Sequence, residues 1–314
     1  MGTFAREEIE AAFAEYRRRG VESHDWPGWA DLFTEDAHYV EHLLGTYHGR
    51  EAIKTWIVDC MKDFPSMSFW IEWWVIDQDR VFFYIWNNLP DPTGGDTRYA
   101  FPNVTILHYG GDGLWDHEED LYNPADANRV VGEWLKAGGT RETPRDPSLR
   151  GVDGHAPEPV SEVFPREEIE REFEAYRARG TKAVETGDWV AWAAQFTEDA
   201  RYLEHHYGRF SGRDEITAWI TGVMQPFPEM DFPVTYRLIE GNRVTSLIPN
   251  RLPDPKGGDE EHAFAAAVIL HYAGNGMWSY EEDVYNPDEA AEVVGRWLEA
   301  GGELPAGFEV PELG

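Results

Sequence analysis

The chain has 314 residues, is 42% hydrophobic and 14% aromatic, and carries a net charge of −32 from 27 basic and 59 acidic side chains. Fourteen Trp, fourteen Tyr and sixteen Phe are enough to fill two sizeable cores, while so acidic a surface repels phosphate backbones and anionic lipid, so neither nucleic acid nor a membrane is expected as a partner. No apolar run reaches the roughly 18 residues of a membrane span, no leader-like apolar core follows a basic start, and the single Cys60 excludes an internal disulfide and a cysteine metal site, so a cytoplasmic location is the default expectation.

In chain order, Arg6 to Arg19 carries Ile9, Phe13 and Tyr16 at helical spacing and is predicted to stop at Gly20. Asp25 is a good N-cap for a second short helix whose apolar side is Trp26, Trp29, Leu32 and Phe33. His38 to His42 reads as a strand that turns through Leu43-Leu44-Gly45 into Thr46 to Gly49. Arg50 to Asp63 is a third helix, with Ile53, Trp56, Ile57, Cys60 and Met61 inward, and it stops before Pro65. Four strands follow: 67–76, 81–88, 99–109 and 114–122, separated by turn signals and by the loop 89–96 with Pro90, Pro92 and Gly94-Gly95. Residues 125–137 form a closing helix.

The same order then repeats. Asp25 to Gly139 aligns without a gap with Asp188 to Gly302 at an offset of 163, and Phe4 to Gly20 with Phe164 to Gly180 at an offset of 160. Phe33-Thr34-Glu35-Asp36-Ala37 returns as Phe196-Thr197-Glu198-Asp199-Ala200, and Tyr122-Asn123-Pro124 as Tyr285-Asn286-Pro287. A unit of about 140 residues is far longer than a solenoid repeat, so this is domain duplication. The expected boundaries are 1–139, a Pro/Gly/acid-rich linker 140–163, a second domain 164–302, and a tail 303–314. Helices followed by an antiparallel meander make each unit α+β, a curved sheet wrapped around helices and enclosing one apolar pocket.

Several residues carry candidate chemistry. On a strand, Tyr39 and Glu41 share one face, Val40 and His42 the other; Tyr202, Glu204 and His205 repeat the pattern. Alternation likewise puts Glu118 and Asp120 on one face with Tyr122, and Glu119 on the other with Trp115; Glu281 is the second-unit counterpart of Glu118. Trp56 and Trp219, on the helix facing the sheet, suit a ligand-contacting wall. His38, His42 and His48 do not form a repeated metal set, because Arg201 and Ser211 replace two of them; no metal and no organic cofactor are expected.

The helix–helix–Phe-Thr-Glu-Asp-Ala-x-Tyr-x-Glu-His–Gly-Arg–helix–meander layout resembles the nuclear transport factor 2-like (NTF2-like, or SnoaL-like) superfamily, which includes ketosteroid isomerase, scytalone dehydratase, limonene epoxide hydrolase and polyketide cyclases. The resemblance covers both units. It implies cone-shaped domains that pack sheet to sheet as an intrachain pseudo-twofold dimer, leaving the chain itself monomeric. It also implies a pocket for a small hydrophobic oxygenated molecule, worked on by acid/base proton transfer or simply bound. Glu41 and Glu204 match the position of the isomerase's catalytic Asp and would be bases against aromatic walls. Glu118 and Glu281 would assist, as would His42 and His205. Tyr39, Tyr202, Trp56, Trp219, Phe101, Phe264, Asn103, Thr105 and Asp120 would line the pocket. The isomerase's oxyanion-hole acid falls near Thr105 and Val268, neither of them acidic, and its helix-one tyrosine falls near, but displaced from, Tyr16 and Tyr176. Asn103 and Thr105 face Ala266 and Val268 in the alignment, which implies a polar first pocket and a greasier second one.

Overall fold

The computed structural model describes residues 2–152, 164–227 and 229–304. The expected linker segment 153–163 and tail segment 305–314 lie outside the described residues. The chain divides into two compact units, and each is built as the sequence order requires.

In the first unit α1 (Arg6–Arg17) runs into a π-helical turn (Arg18–Glu22), and α2 spans Trp26–Ala30. Asp25 caps α2 by accepting from the Gly28 amide at 3.0 Å. Then come β1 (Phe33–Glu41), β2 (Gly45–His48), α3 (Arg50–Met61), β3 (Ser68–Asp77), β4 (Arg80–Leu89), β5 (Tyr99–Gly111), β6 (Leu114–Leu121) and α4 (Pro124–Lys136). The sheet order is β2-β1-β6-β5-β4-β3, antiparallel except where β1 runs parallel to β6. That single parallel pairing brings the two carboxylate-bearing strands side by side, with Tyr39 opposite Glu118 and Glu41 opposite Asp120.

Three local expectations change. The helix does not stop at Gly20. That glycine is needed for close approach, since a Cβ there would lie 2.7 Å from the Trp29 ring. Phe33 opens β1 instead of ending α2, and pairs with Trp115 before the register shifts to His38 and His117. Trp115 does not share a face with Glu119. Residue 116 is an extra residue in β6 relative to β5 (His108 pairs with His117, Tyr109 with Trp115), and this bulge turns the indole into the core against Tyr16 and Tyr109.

Residues 140–152 follow the first unit closely. Ser66 Oγ donates to Thr143 O at 2.6 Å, Ser68 Oγ to Asp146 O at 2.8 Å, and Arg98 to Gly151 O at 2.6 Å. The loop after β4 is anchored, because Trp134 of α4 donates to Pro90 O at 2.8 Å.

The second unit repeats the plan with α5 (Arg166–Thr186), α6 (Trp189–Ala193), β7 (Phe196–Glu204), β8 (Gly208–Ser211), α7 (Arg213–Met224), β9 (Tyr236–Glu240), β10 (Arg243–Leu247), β11 (Asn250–Leu252), β12 (His262–Phe264), β13 (Ala267–Gly274), β14 (Met277–Val284) and α8 (Pro287–Ala300). Here α5 is continuous and ends at Gly187, which takes the left-handed conformation at φ 72°. Its sheet is β8-β7-β14-β13-β10-β9, with β11 and β12 as a separate pair. Proline explains the shortening. Pro233 and Pro249 stand where the first unit has Trp70 and Trp86, and a residue without an N–H cannot continue the ladder. Among the described residues no helix is long and apolar enough to cross a membrane.

Candidate functional site: two carboxyl-lined cavities

Each unit encloses a cavity between the concave face of its sheet and its helices. The first is about 340 Å³ and the second about 760 Å³, both within the range of small-molecule sites. Of the residues singled out in the sequence, Tyr39, Glu41, Trp56, Phe101, Asn103, Thr105, Glu118 and Asp120 line the first. Tyr202, Glu204, Trp219, Phe264 and Glu281 line the second.

Strand alternation and register put them together. Tyr39 and Glu41 of β1, Glu118 and Asp120 of β6, and Asn103 and Thr105 of β5 are same-face neighbours across paired strands. Glu118 is 1% exposed and accepts from the Tyr16 hydroxyl at 2.7 Å. Asp120 accepts from the hydroxyls of Tyr39 and Thr105, the latter at 2.5 Å, and from the Asn103 amide at 3.2 Å. In the second unit Tyr176 donates to Glu281 at 2.6 Å, and the Tyr202 hydroxyl lies 3.1 Å from Glu281 and 2.6 Å from Asp283. Trp56 and Trp219 form the aromatic wall, each 4.7 Å from Tyr39 and Tyr202 respectively, centroid to centroid.

Burial dominates the electrostatics. It pushes Glu118 well above the usual carboxylate range, and the neighbouring Asp120 charge adds to the effect. Asp120 is raised to about 6, by burial and then by the Glu41 charge, against hydrogen bonds that pull it down. Burial raises Glu281 well above its ordinary value, with Asp283 adding, and raises Asp283 to about 7, where Glu204 and Glu282 contribute. Each cavity therefore holds two carboxyls that cannot both ionise easily near neutral pH.

Glu41 has a further task that its position in the sequence did not reveal. Its Oε2 accepts the backbone amides of Leu43 (2.8 Å) and Leu44, tying the β1–β2 turn, and Tyr122 hydrogen-bonds it from the end of β6. Glu204 does the same with His206 (2.7 Å), Tyr207 and Tyr285. Donors from their own turns anchor these two carboxyl groups at the cavity wall, and burial raises Glu204 above its ordinary value.

The expected assistance from His42 and His205 is not seen. Both lie on the opposite sheet face, outside the cavities, where His42 Nε2 is 2.9 Å from Glu119 and His205 Nε2 is 2.8 Å from Glu282. The reason is the two-residue period of a strand, which sends residue 42 away from the face that residue 41 lines. Burial would raise Glu119, but hydrogen bonds from His117 and His42 outweigh it and hold it at about 2. Sequence reasoning left Tyr16, Tyr176, Tyr122, Tyr285 and Asp283 outside the site. The repeated Tyr-Asn-Pro at the end of the last strand, and the placement of Asp283 opposite Asp120 in the alignment, were the available signals. Outside the cavities, Asp254, Glu260 and His262 hold their ligand atoms within 4.8 Å of one another.

A six-stranded curved sheet closed over helices around a carboxyl-lined cavity, built twice, is an α+β cone of the NTF2-like kind. The chain belongs to the SnoaL-like domain family, which matches residues 13–117 and 174–280. Solved structures similar to it include a Catenulispora acidiphila DSM 44928 protein of ketosteroid isomerase-like fold in complex with trimethylamine (21% identical, covering 40% of this chain and 92% of that one, TM-score 0.34). An NTF2-like protein of unknown function from Burkholderia pseudomallei K96243 is 18% identical over 40% of this chain and 96% of its own, with a TM-score of 0.33. TerC, co-crystallised with polyporic acid, is 13% identical over 40% of this chain and 98% of its own, with a TM-score of 0.33. No curated protein matches the chain.

Proposed function

We propose that this chain is a cofactor-independent acid/base enzyme of the SnoaL-like family, acting on a small hydrophobic oxygenated molecule of the polyketide, steroid or terpenoid kind. The reaction class is proton transfer at a carbon beside a carbonyl, giving isomerisation, cyclisation or dehydration. The observation that carries this reading is the buried carboxyl pair of each cavity, Glu118 with Asp120 and Glu281 with Asp283, among aromatic walls and tyrosine hydroxyls. A carboxyl held near neutral can both take and return a proton. Asp120 and Asp283 are the bases, Glu118 and Glu281 stay protonated beside them, and Tyr39 and Tyr202 orient the pair. Glu41 and Glu204, held in place beside them, help to keep the aspartates up.

The test is deuterium uptake from D2O into 2-tetralone, an apolar bicyclic ketone, read by mass spectrometry. The expected outcome is exchange above buffer, falling on the order of 10²-fold or more in the double variant Asp120→Asn/Asp283→Asn. Exchange at the buffer rate would remove the enzyme reading. A second reading, binding without turnover, is favoured in the first cavity alone, where Asp120 already has three donors from its own unit.

We further propose that the two units pair through their outer sheet faces within one monomeric chain. Support comes from side chains that alternate with the cavity-facing ones: Phe82, Tyr84, Val104 and Ile106 in the first unit, and Leu247, Ala267 and Ile269 in the second. Apolar sheet faces of that extent need cover. A scattering profile of two separated bodies would contradict the pairing. We place the chain in the cytoplasm, with no nucleic acid or membrane partner; cell fractionation checks this.

A further inference from the structure

The two cavities differ in one respect that bears directly on what they bind. In the first, Asp120 is 8% exposed and accepts from Tyr39, Thr105 and Asn103. In the second, Val268 and Ala266 stand in place of Thr105 and Asn103. Both line the cavity and neither can donate. Asp283 is left with Tyr202, and its Oδ1 is buried without a hydrogen-bond partner. Leaving a buried carboxyl oxygen unpaired costs free energy, and a native fold carries that cost where something else supplies the partner. The second cavity is also more than twice as large, about 760 Å³ against 340 Å³. Glu118 Oε2 and its counterpart Glu281 Oε2 are unpaired alike, so the difference lies at the next position, where the first cavity leaves only the neutral Asn103 Oδ1 unpaired and the second leaves the carboxyl Oδ1 of Asp283.

We infer that the second cavity is the main ligand site, and that it takes a large, rigid, mostly apolar molecule bearing one hydroxyl that donates to Asp283 Oδ1, while the first cavity satisfies its own aspartate and has no such site. This rests on the same cavities as the proposed function and sharpens which of them receives the ligand and by what group. Val268 and Ala266 are then the specificity-determining positions: they withhold the internal donors that Thr105 and Asn103 supply next door.

The experiment uses the full chain and two fluorescent probes, 1-hydroxypyrene and pyrene, titrated at equilibrium. The expected result is one tight site per chain that prefers the hydroxyl probe by about tenfold, the worth of one hydrogen bond to an ionisable group. The double variant Ala266→Asn/Val268→Thr gives Asp283 the first unit's donors. It should bring the preference close to one while pyrene binding persists, which also shows that the variant is folded. The reverse pair, Asn103→Ala/Thr105→Val, should create a second hydroxyl-preferring site. The inference is overturned if the wild type shows two equal sites, if the preference survives Ala266→Asn/Val268→Thr, or if neither probe binds. Tetralone exchange is scored separately, in the wild type: exchange at the buffer rate would remove the acid/base reading and leave the probe preference to decide this assignment, whereas loss of the probe preference would overturn this assignment and leave the acid/base reading standing.

Discussion

Tyr202 is the residue on which the second site's proton balance turns, because its hydroxyl reaches Glu281 and Asp283 alike. A hydrogen bond to a carboxylate favours its ionised form, so it holds both acids below where burial alone would put them. Tyr202→Phe should therefore raise the pH at which the base becomes active, and the ascending limb of the pH–rate profile should move to higher pH; an unmoved limb would separate Tyr202 from the titrating pair. His205 gives the contrasting case. It lies on the other face and pairs with Glu282, which also accepts from Tyr280 at 2.6 Å. His205→Ala should cost about 1–3 kcal/mol of stability by weakening that buried network, with exchange per folded molecule unchanged. A selective loss of turnover would return His205 to the catalytic set.

At the scale of elements, the duplicated glycines are not equivalent. A Cβ at Gly20 meets the Trp29 ring at 2.7 Å, whereas one at Gly180 finds Trp192 at 3.7 Å, an ordinary contact. Gly20→Ala should destabilise by about 1–3 kcal/mol through overpacking. Gly180→Ala, inside the continuous α5, should be neutral or stabilising by roughly 0.5–1 kcal/mol. Denaturant midpoints of the two variants check the pair of predictions. These elements also show how much of the molecule was legible in advance. The Asp25 cap, the β1–β2 hairpin, the long helix and the meander follow from residue types and periods that local physics reads directly. The face of Trp115 was not legible, because the bulge at residue 116 resets alternation and nothing in Leu114–Leu121 announces it. Nor was the helix-one tyrosine: Tyr16 and Tyr176 look like core positions at helical spacing, and only the fold shows their hydroxyls reaching Glu118 and Glu281. Glu41 lines the cavity wall, and its turn-anchoring bonds come from backbone amides that sequence pattern does not show.

Over the whole molecule, the buried acids link stability to pH. Asp120 and Asp283 titrate near 6 and 7 in the folded chain and near 3.9 when unfolded. The folded state thus binds more protons between those values, and stability is fullest below about 4 and declines as pH rises through about 7. The paired Glu119, held at about 2, works in the opposite sense, but only at the acid end, where stability falls as it protonates. Melting midpoints should therefore drop between about pH 4 and 7, and Asp120→Asn/Asp283→Asn should flatten that drop. A midpoint that rises across this range would contradict the assignment of raised acids. The most direct measurement is infrared spectroscopy of the carboxyl C=O stretch at about pH 6, where ordinary surface acids are ionised. The expected result is a band from protonated, buried carboxyls that fades as pH rises and is diminished by Glu118→Gln/Glu281→Gln. No such band, or one indifferent to those substitutions, would mean that the cavities hold no protonated acids and that the acid/base reading is wrong.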